Sequence, residues 1–334
     1  MAEDHGQVAI RPYALEDDAA WDALVAKSWN GTLLHTRRFL SYHADRFTDQ
    51  SLVIQDEHGA MRAVLPAASD PSLPGTVTSH PGITYGGIIH DGWAHGERSI
   101  NIMEAIASHY LALEFHTLRY RPVPVIYHRI PAQDDLYALF RMGALRDRCD
   151  LSATIDLGTE HRMTKGRRAS LQKARRLGVE TCWDSESLEE FWPILLETLE
   201  RRHAAKPVHT LSEMSLLAKS FPDEISVAIA RVGSDLVAGA VFFASSPVLH
   251  LQYIATNQVG MDIGAADTLI DAGIAAATLG GCRYFDFGTS TEDQGRSLND
   301  SLYRFKASFG AGGVAYEHYE LTLPGSSADL STHH

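Results

Sequence analysis

Apolar positions along the chain change period several times, and the order of the changes is written twice. In "GAADTLIDAGIAAATLGG" (264–281), Ala266, Leu269, Ile270, Ile274 and Ala277 recur three or four apart, a helical face closed by Gly280–Gly281. "RSINIMEAIASHYLAL" (98–113) has the same character in the first half. Upstream, "LLHTRRFLSYHADRFTDQSLVIQDEHG" (33–59) is echoed by "PVHTLSEMSLLAKSFPDEISVAIARVG" (207–233), and the interval from Thr36 to Gly59 equals that from Thr210 to Gly233. A helical stretch precedes each copy, "DDAAWDALVAKSW" and "LEEFWPILLETLERRH". Each continues into two β-rich runs around a turn at Glu57–Gly59 or Gly233–Asp235. Strand-like "GITYGGII" (82–89) corresponds to "VLHLQYIAT" (248–256), and "LRYRPVP" (118–124) to "CRYFDFG" (282–288). Finally "DDLYALFRMGAL" (134–145) corresponds to "NDSLYRFKASFGAG" (299–312). The pattern predicts helix, hairpin, strand, helix, strand, helix, strand, twice over. The expectation is one α/β (α+β) domain duplicated, each copy a mixed central sheet flanked by helices, over 1–150 and 151–325 with a tail at 326–334.

The two final helices differ in one respect. At about 100° per residue, Leu302, Phe305 and Phe309 share one arc, and Lys306 lies only about 40° from Leu302. The first copy offers Leu139, Phe140 and Arg141 there, and no lysine. An ammonium on the apolar side of a short helix, in one copy only, points away from a purely architectural role.

Composition sets bounds on these readings. A chain of 334 residues that is 45% hydrophobic can bury the cores of two domains. No apolar run approaches the ~18–20 residues of a membrane span, and "MAEDHGQVAI" lacks the pattern of a signal peptide. Cys149, Cys182 and Cys282 are far apart and form no CxxC pair, so neither a disulfide framework nor a zinc site is expected. A cytoplasmic protein is the plain expectation. The histidines and acids 203, 209, 250, 286 and 292 show no tight ligand spacing, and no metal is expected. Net charge is −13, which excludes non-specific nucleic-acid binding by the surface as a whole. Yet "HRMTKGRRASLQKARR" (161–176) holds seven Lys/Arg and no acid, leaving −20 for the other residues. That run is either a solvated helix face or a dock for a polyanion.

Several stretches together are similar to a known family: "RRHAAKPVHTLSE" (201–213), "HLQYIAT" (250–256), "RYFDFGTSTEDQGRSLN" (283–299) and "YRFKASFG" (303–310), with "HPGITYGGII" (80–89) and "IYHRIPAQDDLYALFRMGA" (126–144) in the first half. Over about residues 8–323 the chain resembles the FemAB-like branch of the GNAT acyltransferase superfamily, with two GNAT-type domains in tandem. The resemblance implies transfer of an acyl or aminoacyl group from an activated ester or thioester to an amine. The donor is aminoacyl-tRNA, acyl-carrier protein or acyl-CoA, used as a co-substrate, and no cofactor is permanently bound. The active site falls in the second copy, with the first helping to bind the acceptor. Bridge-forming relatives carry a Phe-Lys pair on the last helix, matched here by Phe305–Lys306.

Such a transfer needs a held donor, a neutral amine, a stabilised oxyanion and a proton for the leaving group. Lys306 suits the oxyanion, because a fixed charge acts strongly in low dielectric; the alternative is a lysine that snorkels past Phe305 to water. Asp286, opposite Phe285 and Phe287 in its strand, is placed to orient Lys306 or deprotonate the amine, or else to cap a loop or pair with an arginine. Tyr253 lies where GNAT folds splay two strands, and its hydroxyl either assists transfer or is satisfied in packing. Arg202, His203 and His209 belong to the acceptor-covering region, although His209 has a counterpart in His35. Glu292 is a candidate to bind or deprotonate the acceptor, Asn299 reads first as an N-cap, and Tyr85 is the first copy's substrate-side candidate. For the donor, Arg162, Arg167 and Arg168 are the basic candidates for a tRNA or carrier protein. "NQVGMDIGAAD" (257–267) has Gln258, Gly260 and Gly264 at a spacing altered from the usual pyrophosphate loop, with Asp262 adding an unfavourable charge. The competing reading is a non-catalytic binding or scaffold protein on the same fold.

Overall fold

The computed structural model describes residues 8–203 and 206–323. They pack as two compact units. The first runs to Asp150 and takes in Gln294–Arg296 and the chain from Ala315; the second comprises Leu151–Asp293 and Ser297–Val314. No helix among the described residues is long and apolar enough to cross a membrane.

The first unit follows the order β1 (Ala9–Pro12), α1 (Asp18–Lys27), α2 (Arg37–Leu40), β2 (Thr48–Asp49), β3 (Leu52–Gln55), β4 (Met61–Leu65), β5 (Ala68–Ser69), β6 (Thr76–Thr78), β7 (Ile89–His90), α3 (Glu97–Ala112), β8 (Thr117–Tyr120) and α4 (Asp134–Arg141). Strands β1–β3–β4–β7 form an antiparallel sheet, while β8, β6, β5 and β2 neighbour one another in that order, with β6 and β8 parallel. The apolar face of α3, from Ile102 through Ile106 to Tyr110, is buried as its 3–4 spacing requires. The stretch "GITYGGII" departs from expectation, because only its last residue, Ile89, is in a strand. A Cβ at Gly86 would lie 2.1 Å from the Ser79 carbonyl oxygen, and Gly87 has φ +84, so the chain there is a close-packed loop rather than a pleated run.

Strand β9 (Leu145–Asp156) leads into the second unit. There follow α5 (Lys165–Arg176), β10 (Val179–Trp183), α6 (Leu188–His203), α7 (Leu211–Ser220), β11 (Ile225–Val232), β12 (Asp235–Ser245), β13 (Val248–Thr256), α8 (Gln258–Ile263), α9 (Ala265–Leu279), β14 (Tyr284–Thr289), β15 (Thr291–Glu292), β16 (Ser297–Leu298), α10 (Asp300–Ala307) and β17 (Gly312–Thr322). The sheet order is β10–β11–β12–β13–β14–β9. Its core packs Phe242 and Phe285 with Leu269, Ile270 and Ile274 of α9. Of β17, Gly312–Val314 belong to this unit and the remainder to the first.

Two irregularities set the middle of this sheet apart. Strands β13 and β14 are its parallel pair, and their register covers only Val248–Tyr284, Leu249–Phe285 and His250–Asp286. Beyond His250, β13 continues to Thr256 without β14, so the pair forms a fork. On its other side, Tyr253 faces Val241 and Leu251 faces Phe242, which leaves Gln252 as an extra residue in a bulge. The bulge restores His250 and Tyr253 to one face.

Candidate functional site

At the base of the fork sits a buried polar cluster. Phe285 and Phe287 take the core face of β14, so alternation turns Asp286 to the other. There its Oδ1 accepts from Ser152 Oγ (2.6 Å) and Thr154 Oγ1 (2.7 Å), both on β9. Its Oδ2 lies 2.7 Å from His250 Nδ1, across the last register pair of the fork. Asp286 is 0% exposed. Burial alone drives its carboxyl up, but the hydrogen bond and charge of His250, with the two hydroxyls, hold it down at about 2. An ionised carboxylate only accepts, so Nδ1 carries the proton and Nε2 of the same ring is the basic nitrogen.

Lys306 is the buried residue of α10, at 7% exposure. Its Nζ donates to the carbonyl oxygens of Gly288 (2.8 Å) and Thr289 (2.7 Å), which close β14. Burial lowers the ammonium to about 8, against the pull of the Asp286 charge. The lysine therefore enters the protein rather than snorkelling past Phe305.

The second unit also holds a cavity of about 590 Å³, which Phe305, the chain neighbour of Lys306, lines, whereas Lys306, Asp286 and His250 themselves do not. Its walls include Ile254–Thr256 of β13 beyond the fork, Gly260 and Gly264, and Asn299, Leu302 and Phe305 at α10. Arg167 and Asp267 are the charged side chains that line it, and they neutralise each other, with Nη1 2.9 Å from both carboxylate oxygens. The Arg167 guanidinium also lies 4.5 Å from the Phe305 ring centroid. Asp267 occupies the first turn of α9, where the helix dipole favours an anion. Segment 257–267 is not a loop. It forms α8, capped by Asn257 Oδ1 on Gly260 N (2.8 Å), and passes into α9 through Gly264 at φ +79. Gln258 bonds Asp262 on α8 rather than facing the cavity. A Cβ at Gly260 would stand 2.2 Å from the Val237 carbonyl oxygen, so packing accounts for that glycine.

The other expected residues fall into separate places. Tyr253 shares a 2.7 Å hydrogen bond with His209 Nδ1, and burial raises its hydroxyl. Asn299 caps α10 through Leu302 N (3.1 Å) and holds Glu292 through Nδ2 (2.8 Å). In the basic run, Arg162 pairs with Glu160, Arg175 with Asp271, and Arg168 bonds the Met163 carbonyl. Tyr85 is in the first unit, buried against His35, Tyr127 and Tyr316. Arg202 and His203 end α6, but their side chains lie outside the described residues. Among the described residues no group of three or more His, Cys, Asp or Glu is arranged to hold a metal ion.

Sequence reasoning singled out Asp286 and Lys306, which the fold buries near one another, but not His250 as the acid's partner. The signal available was weak: a histidine in a strand otherwise apolar at its start, 36 positions before the acid, on a strand that only the parallel pairing brings alongside.

Residues 160–306 match the family model described as an acetyltransferase (GNAT) domain. No curated protein matches the chain in sequence. Solved structures with the same fold include FemX, 12% identical with a TM-score of 0.69, covering 94% of this chain and 97% of that one. L-PGS from Bacillus licheniformis is 12% identical at a TM-score of 0.60, covering 96% and 95%. A tandem GNAT protein from the clavulanic acid biosynthesis pathway is 11% identical at 0.56, covering 96% and 100%. These likenesses extend the GNAT fold over both units.

Proposed function

We propose that this chain, whose residues 160–306 match a GNAT domain and whose fold is that of FemX and a tandem GNAT protein, is a FemAB-like acyltransferase that moves an acyl or aminoacyl group from an activated ester or thioester to an amine within its second unit. The observation that carries this reading is the fork: pairing of β13 and β14 stops at His250–Asp286, and the freed end of β13 walls a cavity that is also lined by Leu302 and Phe305 of α10, the helix that carries the buried Lys306. The cavity takes the donor's reacting arm. Lys306 stabilises the oxyanion that forms when the amine adds to the carbonyl. Two of its three donors are already taken by Gly288 and Thr289, and the third is the one this role requires.

The charge balance bears on the donor. A diphosphate at the α9 N-terminus would meet the Asp267 carboxylate and an arginine that Asp267 already neutralises. That arrangement favours a donor held through its carrier, as in aminoacyl-tRNA or an acyl-carrier protein, over CoA gripped by its diphosphate. Lys165, Arg168 and Arg176 of α5 make no ion pair among the described residues and supply the contact for such a carrier. The FemX and L-PGS folds accord with this without naming a substrate.

The test is to incubate the protein with a panel of amines and each donor class in turn, and to read amide product by mass. Product with a carrier-linked donor supports the reading, and product with acyl-CoA alone removes the carrier. Tight ligand binding with no turnover by any donor would instead make the chain a binding protein.

A further inference from the structure

Transfer assisted by Lys306 leaves one half-buried, well-oriented group without a task. His250 has Nδ1 fixed 2.7 Å from a fully buried carboxylate, and no partner among the described residues is found for Nε2. Its side chain is 19% exposed, so that nitrogen is not sealed in. A histidine serving only to tie two strands together would need neither feature.

The surroundings keep the free edge of the ring clear. Gly288, two residues past Asp286, has φ +74, and a Cβ built there would stand 3.3 Å from His250 Cε1 and 4.0 Å from Nε2. Any side chain at 288 would press on that edge, and its backbone conformation is one that L-residues avoid. The carbonyl of the same glycine is held by Lys306 Nζ. One turn of chain thus fixes the lysine and bares the imidazole. Across β12, Phe243 is the register neighbour of His250, and the His209 ring stands 6.4 Å from Phe243, so the His209–Tyr253 pair lies further along the same face.

We infer that His250 is the general base that takes the proton from the acceptor ammonium, with Asp286 as its positioning residue. This rests on the transfer reading. A primary amine arrives protonated at neutral pH and is no nucleophile until a proton is removed. His250 Nε2 takes that proton, and the nitrogen lone pair then bonds to the donor's carbonyl carbon. When the tetrahedral adduct collapses, the bond from carbon to the leaving oxygen or sulfur breaks. The electron pair departs with that atom, which also receives the second proton of the attacking nitrogen. His250 returns its own proton to solvent. Asp286 keeps the Nδ1–H tautomer and balances the imidazolium; Ser152 and Thr154 keep Asp286 ionised and fixed. Lys306, the other charge facing this cluster, stays on the β14 carbonyls.

The experiment compares two acceptors, a simple alkylamine that is an ammonium at pH 7 and a hydroxylamine-type acceptor that is already neutral. His250→Gln, whose amide can still donate to Asp286, is expected to lower kcat/KM for the alkylamine by roughly 10²–10⁴-fold and for the neutral acceptor by less than about tenfold. Added imidazole is expected to restore part of the alkylamine rate in His250→Ala. Equal losses with both acceptors, or wild-type rates with both, overturn the base. A second measurement uses wild-type protein alone. With an enzymic base, kcat/KM for the alkylamine does not climb tenfold per pH unit with the free-amine fraction, and such a climb would refute it. If wild type makes no amide from any donor, the transfer reading falls and takes this one with it. Wild-type turnover with an indifferent His250→Gln removes the base and leaves transfer standing.

Discussion

Asp135 in the first unit and Asp286 in the second are both buried and both bond a ring-bearing side chain, and the two are tuned in opposite directions. In the first, Asp135 accepts from the Tyr120 hydroxyl at 2.6 Å, and the Ile88 amide donates to that hydroxyl at 2.7 Å. Burial dominates there and raises the carboxyl to about 6. In the second, Asp286 meets a histidine and two hydroxyls and is held at about 2. The last helices diverge likewise: Phe140 of α4 is 75% exposed, whereas Lys306 of α10 is buried. Asp135 is thus protonated more readily than an ordinary carboxylate, and Asp286 less readily. A carboxylate and an ammonium kept charged inside cost desolvation, and on the last helices an ammonium is buried in the second copy only, with an exposed phenylalanine in the first.

The sharpest way to break this contrast is Lys306→Met. Transfer is expected to fall by about 10²–10³-fold with the fold retained, as judged by circular dichroism and a thermal melt. Wild-type turnover would exclude the lysine. Because its ammonium is depressed to about 8, wild-type transfer is also expected to decline as pH rises through that value.

The two acids give smaller effects of opposite sign. Asp135 has a folded-state value raised from 3.8 to about 6. Its contribution is full below 3.8 and is lost as pH rises through 6, to the extent of about 3 kcal/mol. Denaturant unfolding of wild type against Asp135→Asn should show a stability difference that shifts by about that amount in the variant's favour between pH 4 and 7. A flat difference would put Asp135 at an ordinary carboxylate value. Asp286 behaves inversely: it is lowered from 3.8 to about 2. Its contribution, about 2 kcal/mol, is present above 3.8 and lost as pH falls through 2, so the wild-type advantage over Asp286→Asn should shrink on acidification. An advantage that persists unchanged to pH 2 would dissolve the contrast between the copies.

Arg168→Glu is the mildest test. It is expected to weaken a polyanionic carrier by about 1 kcal/mol or less and to lower the salt sensitivity of binding. Unchanged affinity and salt dependence would end the docking role for α5. Arg167 is a poor choice for that purpose, since removing it also strands Asp267.

Local pattern carried most of the architecture. The helical face of α9, the hairpins at 57–59 and 233–235, the Asn299 cap and the inward turn of Lys306 all follow from spacing within a few residues. What pattern did not carry depends on long-range register. His250 becomes the partner of Asp286 because two strands distant in sequence pair in parallel for three residues and then part. The identity of α8 as a helix turned on the Asn257 cap, which outweighed the two glycines that suggested a phosphate loop. "GITYGGII" misled because alternation is only informative where the backbone is free to pleat, and Gly86 and Gly87 show that it is not.

The path of β17 has a consequence for how the chain is made. Its residues Tyr319–Thr322 pair with Thr117–Tyr120 of β8, so the first unit receives a strand partner that is translated only after the whole of the second. On the ribosome the first unit waits with β8 lacking that neighbour while some 160 residues emerge. Severing the gene near codon 150 would therefore not yield two self-sufficient halves: the leading fragment would lack the strand that pairs with β8.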